Sequence, residues 1–358
     1  MPPVTSDGRK VEGMGLTPAQ RQRALGAVVA AATGDALGAP YEFQAPVAAS
    51  DDVDMVGGGI LDWQPGEWTD DTSMAIVVLE AAATSPGLHD LRVDSAQDQI
   101  AREWYSWSLG TPDIGTLTSS VMRRAADNAR EDGHFAPRAA DLRRAAEAAH
   151  AATPRNAGNG SLMRTHAAVL PYLLTSEDDA VAGIEAVCTL THVHPDTVEA
   201  CMLWGLAVRH AVLTGEIDVR RGLERLDEDR RALWSSRIDE AEGAAPEDFR
   251  RNGWVVHAFQ AALAAVHGAG PIPEDRFARR DMLRRVLDSA ARAGYDTDTV
   301  ACIAGALAGA ALGVKSVPPE WRRMLFGWPG YELDELVSLT DRVIGPVGGA
   351  GEGRERSA

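Results

Sequence analysis

Apolar residues in this chain recur at helical spacing while clusters of β-branched residues are sparse, and that pattern directs nearly the whole sequence into helices. Trp254, Ala258, Phe259, Ala262, Leu263 and Val266 step by one to four residues and lay one apolar face along a helix that should end near Gly268. Thr17-Pro18-Ala19-Gln20 predicts a helix start, with an N-cap hydroxyl, proline at the first helical position and a reciprocal Gln at the third; that helix should run towards Gly34. The longest apolar run, Val300 to Val314, is mostly Ala and Gly and falls short of the ~20 residues a membrane span needs, so it predicts a buried helix. The expected fold class is all-α, with no membrane segment.

No solenoid repeat and no Pro/Ser linker divides the middle, so one domain is expected from residue 17 to residue 344, between disordered tails at 1–16 and 345–358. Asp218 to Arg251 alternates charges and predicts a solvated helix or insertion. Cys188, Cys201 and Cys302 stand far apart without CxxC spacing, which argues against a disulfide scaffold and a thiolate zinc site and fits a reducing cytoplasm. The first fifteen residues lack the apolar stretch of a signal peptide. With 35 basic against 52 acidic residues the net charge is −17, the wrong sign for broad nucleic-acid affinity. Lys10 and Lys315 are the only lysines, and a Gly-Lys-Ser/Thr phosphate loop is absent.

Two oxygen-rich clusters carry the chemistry. Thr69-Asp70-Asp71-Thr72 precedes the run Met74 to Leu79, and Asp296-Thr297-Asp298-Thr299 leads into Val300 to Gly305. Either alone reads as helix capping, but capping needs one acceptor and gains little from packed carboxylates, whose repulsion raises their pKa unless a cation is present. Carboxylates and hydroxyls without His or Cys specify a hard cation such as Mg²⁺ or Mn²⁺, with Ca²⁺ also admissible. Four Asp and two Thr suffice for two ions with one Asp bridging.

These clusters belong to an ordered set: Gly34-Asp35-Ala36-Leu37-Gly38 with Glu42, Thr69 to Thr72, Asp113-Ile114-Gly115, Ala157 to Arg164, Thr191-His192, and Gly294 to Thr299 with Gly305, Gly309 and Gly313. In that set the chain resembles the ADP-ribosylglycohydrolase family, which includes the dinitrogenase reductase-activating glycohydrolase. The resemblance implies a compact orthogonal bundle of helices around a central cleft holding two Mg²⁺ or Mn²⁺ ions, and cleavage of the bond between ADP-ribose and its acceptor. Carried over, Thr69, Asp70, Asp71, Asp296, Asp298 and Thr299 would bind metal. Asp71 also joins the catalytic set with Glu42 and Asp113, carboxylates expected outside the metal shell to move the proton that glycosidic cleavage requires. Asp35, Gly158, Asn159, Gly160, Ser161, His192 and Tyr295 would meet the substrate.

The Gly-Asn-Gly turn is expected to open a helix whose free amides take the diphosphate, with Arg164 on phosphate or anchoring the loop to an Asp. Phe43 and Tyr295 are the expected stacking aromatics, and His194 a surface or capping residue. The implied partner is an ADP-ribosylated protein, most simply on arginine. Serine-linked or nucleic-acid-linked ADP-ribose, or binding of ADP-ribose without turnover, would use the same residues.

Overall fold

Thr17 starts the first helix as its spacing predicts. In the computed structural model of the chain, which describes residues 15–85 and 89–345, the Thr17 hydroxyl accepts from the Gln20 amide at 3.3 Å and the Gln20 side chain accepts from the Thr17 amide at 2.9 Å. Helix α1 then runs Pro18–Gly38, one turn beyond Gly34, because nothing breaks it before Pro40. Leu16, assigned to the tail by its sequence, is buried and begins the core. The other residues of the two expected tails lie outside the described residues, apart from Gly15 and Gly345.

The described residues form fourteen α-helices and one two-residue hairpin, Phe326–Gly327 against Tyr331–Glu332. Helix α2 is Asp70–Thr84, followed by α3 (Asp94–Ser108), α4 (Thr116–Glu131), α5 (Ala139–Ala152), α6 (Thr165–Val169), α7 (Glu177–Cys188) and α8 (Pro195–Thr214). Next come α9 (Glu228–Glu242), α10 (Val255–Gly268), α11 (Arg276–Ala291), α12 (Thr297–Leu312), α13 (Pro319–Arg322) and α14 (Leu333–Ile344). No helix among the described residues is long and apolar enough to cross a membrane. One apolar cluster runs from Leu16 to Ile344.

Helices α1 and α12 form the axis of that core, and all sixteen residues of α12 are buried. Their backbones touch because glycines face each other. A Cβ on Gly34 would sit 2.1 Å from the Ala301 carbonyl oxygen, and one on Gly309 would sit 2.1 Å from that of Gly26. Side chains would force the helices apart, and at this distance small residues convert helix surfaces into a close-packed seam. The seam brings residue 35 and residue 298 to one level of the bundle. Helix α14 buries Leu336, Leu339, Thr340 and Val343 against α1 and α2, its stripe recurring at helical spacing.

The charged stretch 218–251 is not merely solvated. Within it α9 buries Trp234, Ile238 and Ala241 against α10, and the Trp234 ring meets Phe259 edge-on at 5.2 Å. Trp234 Nε1 also donates to Glu199 at 2.6 Å. Three buried side chains, one of them a large aromatic, are enough to seat a helix whose average composition is polar.

Candidate metal centre and cleft

Neither N-cap side chain caps its own helix: Thr69 and Asp296 occupy the N-cap positions of α2 and α12 without bonding the helix amides, and within α12 Asp298 Oδ1 accepts from the Thr299 amide at 2.9 Å. The amides of α2 are satisfied from α1. Asp35 Oδ1 accepts from the Thr69 amide and hydroxyl at 2.9 and 2.8 Å, and Oδ2 accepts from the Thr72 amide and hydroxyl at 2.9 and 2.6 Å. Asp35, expected at the substrate, is fully buried and absent from the cavity lining, and its two oxygens take four hydrogen bonds from Thr69 and Thr72 at the start of α2. The Thr69 hydroxyl also stands at the long end of donor distance from Asp71 Oδ2 and Asp298 Oδ2, at 3.5 and 3.4 Å.

The acids converge. Carboxylate oxygens of Asp70, Asp113 and Asp298 lie within 4.8 Å of one another, as do those of Glu42, Asp296 and Asp298, and those of Asp35, Asp71 and Asp298. Asp298 is common to all three sets, the position a bridging ligand would occupy. Thr299 donates from its hydroxyl to Asp71 at 3.2 Å. Glu42 and Asp113, expected outside the metal shell, each bring an oxygen within 4.8 Å of one on Asp298, so the geometry admits them as ligands as well as proton-transfer groups.

Burial, and then the neighbouring carboxylates, push Asp70, Asp71 and Asp298 well above the ordinary range. Burial also raises Asp296, where hydrogen bonds from Asn159 and Thr299 oppose it. The same burial, with Asp296 and Asp113 nearby, lifts Glu42 to about 10; burial with Asp296 and Asp35 lifts Asp113 to about 6. Among the described residues no Lys or Arg pairs with any of them, and the buried Asp71 Oδ1 and Glu42 Oε2 have no hydrogen-bond partner. Orphaned oxygens on hard donors, converging without a counter-charge, fit a divalent cation. This buried acidic cluster is consistent with a metal site.

A cavity of about 330 Å³ opens over it, and Glu42, Asp70, Asp113, Asp296, Asp298 and Thr299 form its acidic end. Gly158, Asn159, Gly160 and His192 line the other side. The Gly-Asn-Gly turn does not open a helix directly: turns continue to Arg164 and α6 has only five residues, so the expected helix-end phosphate site is not there. The first turn of α4, Thr116 to Thr118 with Gly115 at its N-cap, faces the cavity instead, and the Gly115 amide donates to Asp70.

His192 packs beneath the turn; a Cβ on Gly158 would lie 3.3 Å from its Nε2. Its Nδ1 pairs with the Thr191 hydroxyl at 2.7 Å, and burial followed by the Arg164 charge lowers it to about 3, so it is a neutral group at physiological pH. Arg164 anchors the loop to carbonyl and hydroxyl oxygens, not to an Asp: it donates to the Gly160 carbonyl and, at 2.6 Å, to Thr191, and lies over the Trp104 ring.

Ser161 and Tyr295 depart from their expected roles. Ser161 is buried and its hydroxyl turns inward to Cys188 and Cys201. Tyr295 is 38% exposed and lies outside the cavity lining, because its backbone, at φ 65°, is turned back to bond Phe43 and Gln44. Phe43 does line the cavity. His194 caps α8, accepting from the Asp196 amide at 3.1 Å.

Asn252 was invisible in the sequence, lying just past the charged stretch. It is fully buried, donates to the Gly294 carbonyl at 2.8 Å and accepts from the Asp296 amide at 3.2 Å. Its own carbonyl accepts from Asn159, which also donates to Asp296 at 2.8 Å. One amide thus ties the Gly-Asn-Gly turn to the metal loop. The Asn-Gly-Trp sequence at 252–254, a turn dipeptide before a large aromatic, was the available signal.

Comparison with known proteins agrees with this geometry. The family model described as ADP-ribosylglycohydrolase matches residues 16–351. An ADP-ribosylarginine hydrolase Tri1 of Pseudomonas putida (strain GB-1) is 31% identical over 91% of this chain and 80% of its own length. An ADP-ribosyl-[dinitrogen reductase] glycohydrolase of Rhodospirillum rubrum is 28% identical over 85% of this chain and 90% of its own. A solved ADP-ribosylglycohydrolase-related protein complex superposes with a TM-score of 0.65 at 27% identity, covering 91% of this chain and 98% of that one. With its helical fold, its buried acidic centre and these matches in accord, the chain belongs to the ADP-ribosylglycohydrolase family.

Proposed function

We propose that this protein is a metal-dependent hydrolase that releases ADP-ribose from a modified protein side chain, with arginine as the acceptor. The observation that carries the reading is the convergence of two distant oxygen-rich segments with Glu42 and Asp113 at one end of a single cavity. The arginine assignment is supported by similarity to relatives named as arginine hydrolases, at 27 and 31% identity.

Thr69, Asp70, Asp71, Asp296, Asp298 and Thr299 would hold two Mg²⁺ or Mn²⁺ ions, with Glu42 and Asp113 within reach. Bound there, the ions would supply positive charge for ribose hydroxyls and for activation of water. Cleavage at the anomeric carbon builds positive charge on the sugar ring, which the surrounding carboxylates stabilise. Without a cation, burial and the neighbouring carboxylates raise Glu42 further than Asp113, so Glu42 is the tighter proton holder of the two. Two carboxyls whose environments separate their proton affinities can divide donation and acceptance between them. Neutral His192 and the Gly-Asn-Gly turn shape the opposite wall, and the first turn of α4 offers amides to the diphosphate.

The decisive assay presents arginine-linked, serine-linked and nucleic-acid-linked ADP-ribose to the full chain with Mg²⁺ or Mn²⁺, and again with chelator. Release from the arginine linkage that chelator abolishes is expected. No release from any linkage would overturn the enzymatic reading, and release from serine alone would overturn the acceptor.

A further inference from the structure

At the opposite end of the α1–α12 pair, where α12 stops at Leu312 and the chain turns through Gly313 towards α13, lies a second cavity of about 340 Å³. Arg276, Arg279 and Arg280 of α11, Lys315, and Arg322 of α13 line it, and no carboxylate does. Among the described residues none of these five forms a salt bridge. Other arginines of the same stretch do: Arg284 pairs with Glu320, and Arg292 with Asp288 at 2.8 Å. The Nε atoms of Arg280 and Arg322 are buried without a hydrogen-bond partner. Arg279 is held in place by donating from Nε to the Pro273 carbonyl at 2.8 Å, which leaves its terminal amines free.

Five unpaired cations in one concavity are not what composition supplies in a chain of net charge −17 with two lysines. Like charges left without partners cost stability through mutual repulsion, and a bound anion would offset that cost. We propose that this cavity binds a phosphate-bearing anion. Guanidinium forks match phosphate oxygens in pairs, and Lys315 adds a point charge at the rim. Leu312 and Val317 add apolar atoms to the lining, and the volume lies within the range of small-molecule sites. The sixteen residues of α12 put the cavity about 24 Å from the acidic centre, so the two sites are separate.

Titration calorimetry on the full chain at low ionic strength, with chelator present, tests this with ADP and with inorganic pyrophosphate as probes. Both are expected to bind, more weakly as salt rises, and at least tenfold more weakly to the double variant Arg280→Gln/Lys315→Gln. Binding should be unchanged in Asp298→Asn, which alters only the acidic centre. Lys315 is exposed, so Lys315→Gln alone serves as the variant that leaves the fold intact, with a severalfold loss expected. Binding of ADP but not pyrophosphate would assign part of the recognition to the apolar lining and still support the site. Absence of binding by both probes, wild-type affinity in the double variant, or loss in Asp298→Asn would overturn it, as would binding of a polyglutamate peptide in place of either probe.

Discussion

The two ends of the α1–α12 pair carry opposite and equally unbalanced charge. At one end, carboxylates from α1, α2, α12 and two loops crowd together without a cation; at the other, five basic side chains line a cavity without an acid. Helix dipoles favour the acids at the N-termini of α2 and α12; at the basic end the C-terminus of α12 favours the cations, whereas the N-terminus of α11 opposes its three arginines, and such terms reach only about 0.3–1 kcal/mol each. The difference lies in how each end can relieve its repulsion. Buried carboxylates can take up protons, and Glu42 and Asp113 are displaced in that direction. Guanidinium groups keep their charge, so the basic end relies on solvent, salt or a bound anion.

Breaking the acidic end should have the largest effect. Asp298→Asn removes the oxygen common to all three carboxylate sets and is expected to lower turnover by about 10²–10³-fold, the scale of losing one transition-state electrostatic contact. Circular dichroism should show an intact fold, and in chelator the variant should melt higher than wild type, because one buried repulsive charge is gone. A lower melting temperature in chelator would mean the cluster is not repulsive.

The seam between the ends is next. Gly309→Ala places a Cβ on the Gly26 carbonyl and should destabilise by about 1–3 kcal/mol or more, with weaker Mn²⁺ binding as the two acidic segments separate. Melting curves and a metal titration read both effects. Adding Mg²⁺ or Mn²⁺ to wild type at a hundredfold excess over Kd should stabilise it by about 2.7 kcal/mol, an effect absent in Asp298→Asn.

Acid sharpens the contrast further. Asp113, raised in the folded chain, binds its proton more tightly there than when unfolded, so in chelator its contribution to stability is present below about pH 4 and is lost as pH rises through about 6. Buried His166, lowered to about 4, acts the opposite way: its contribution is present above about 6.5 and is lost as pH falls through 4. Comparing Asp113→Asn with wild type over pH 4–7 isolates the first slope, which metal should abolish. The smallest effect belongs to the basic end, where Arg279→Gln should raise the low-salt melting point by less than ~1 kcal/mol of stability and show no difference at high salt.

The helix starting at Thr17, the apolar helix of residues 255–268 and both acidic helix starts were legible because their signals are local: a capping box, a repeating face, oxygens beside an apolar run. The six proposed oxygen ligands, with Glu42 and Asp113, could be named from the chain because each sits in a short distinctive motif. The bonds of Asp35 were not legible because its motif says only that it is conspicuous; that four of them hold the start of α2 depends on contacts 34 to 37 residues away. Asn252 was missed for the same reason, its partners lying 42 and 93 positions distant. The inward turn of Ser161 and the outward one of Tyr295 follow from what surrounds them, not from their own sequence.

By itself, then, the sequence determined the helices, the chemistry of the donors and the family pattern, since propensity, capping and ligand type are properties of residues and their neighbours. Tertiary structure alone decided which oxygens meet, which are consumed as anchors, and where unpaired arginines gather. Close glycine packing between α1 and α12 sets the level at which the acidic segments converge, and that distance is a property of two packed backbones that no stretch of either one contains.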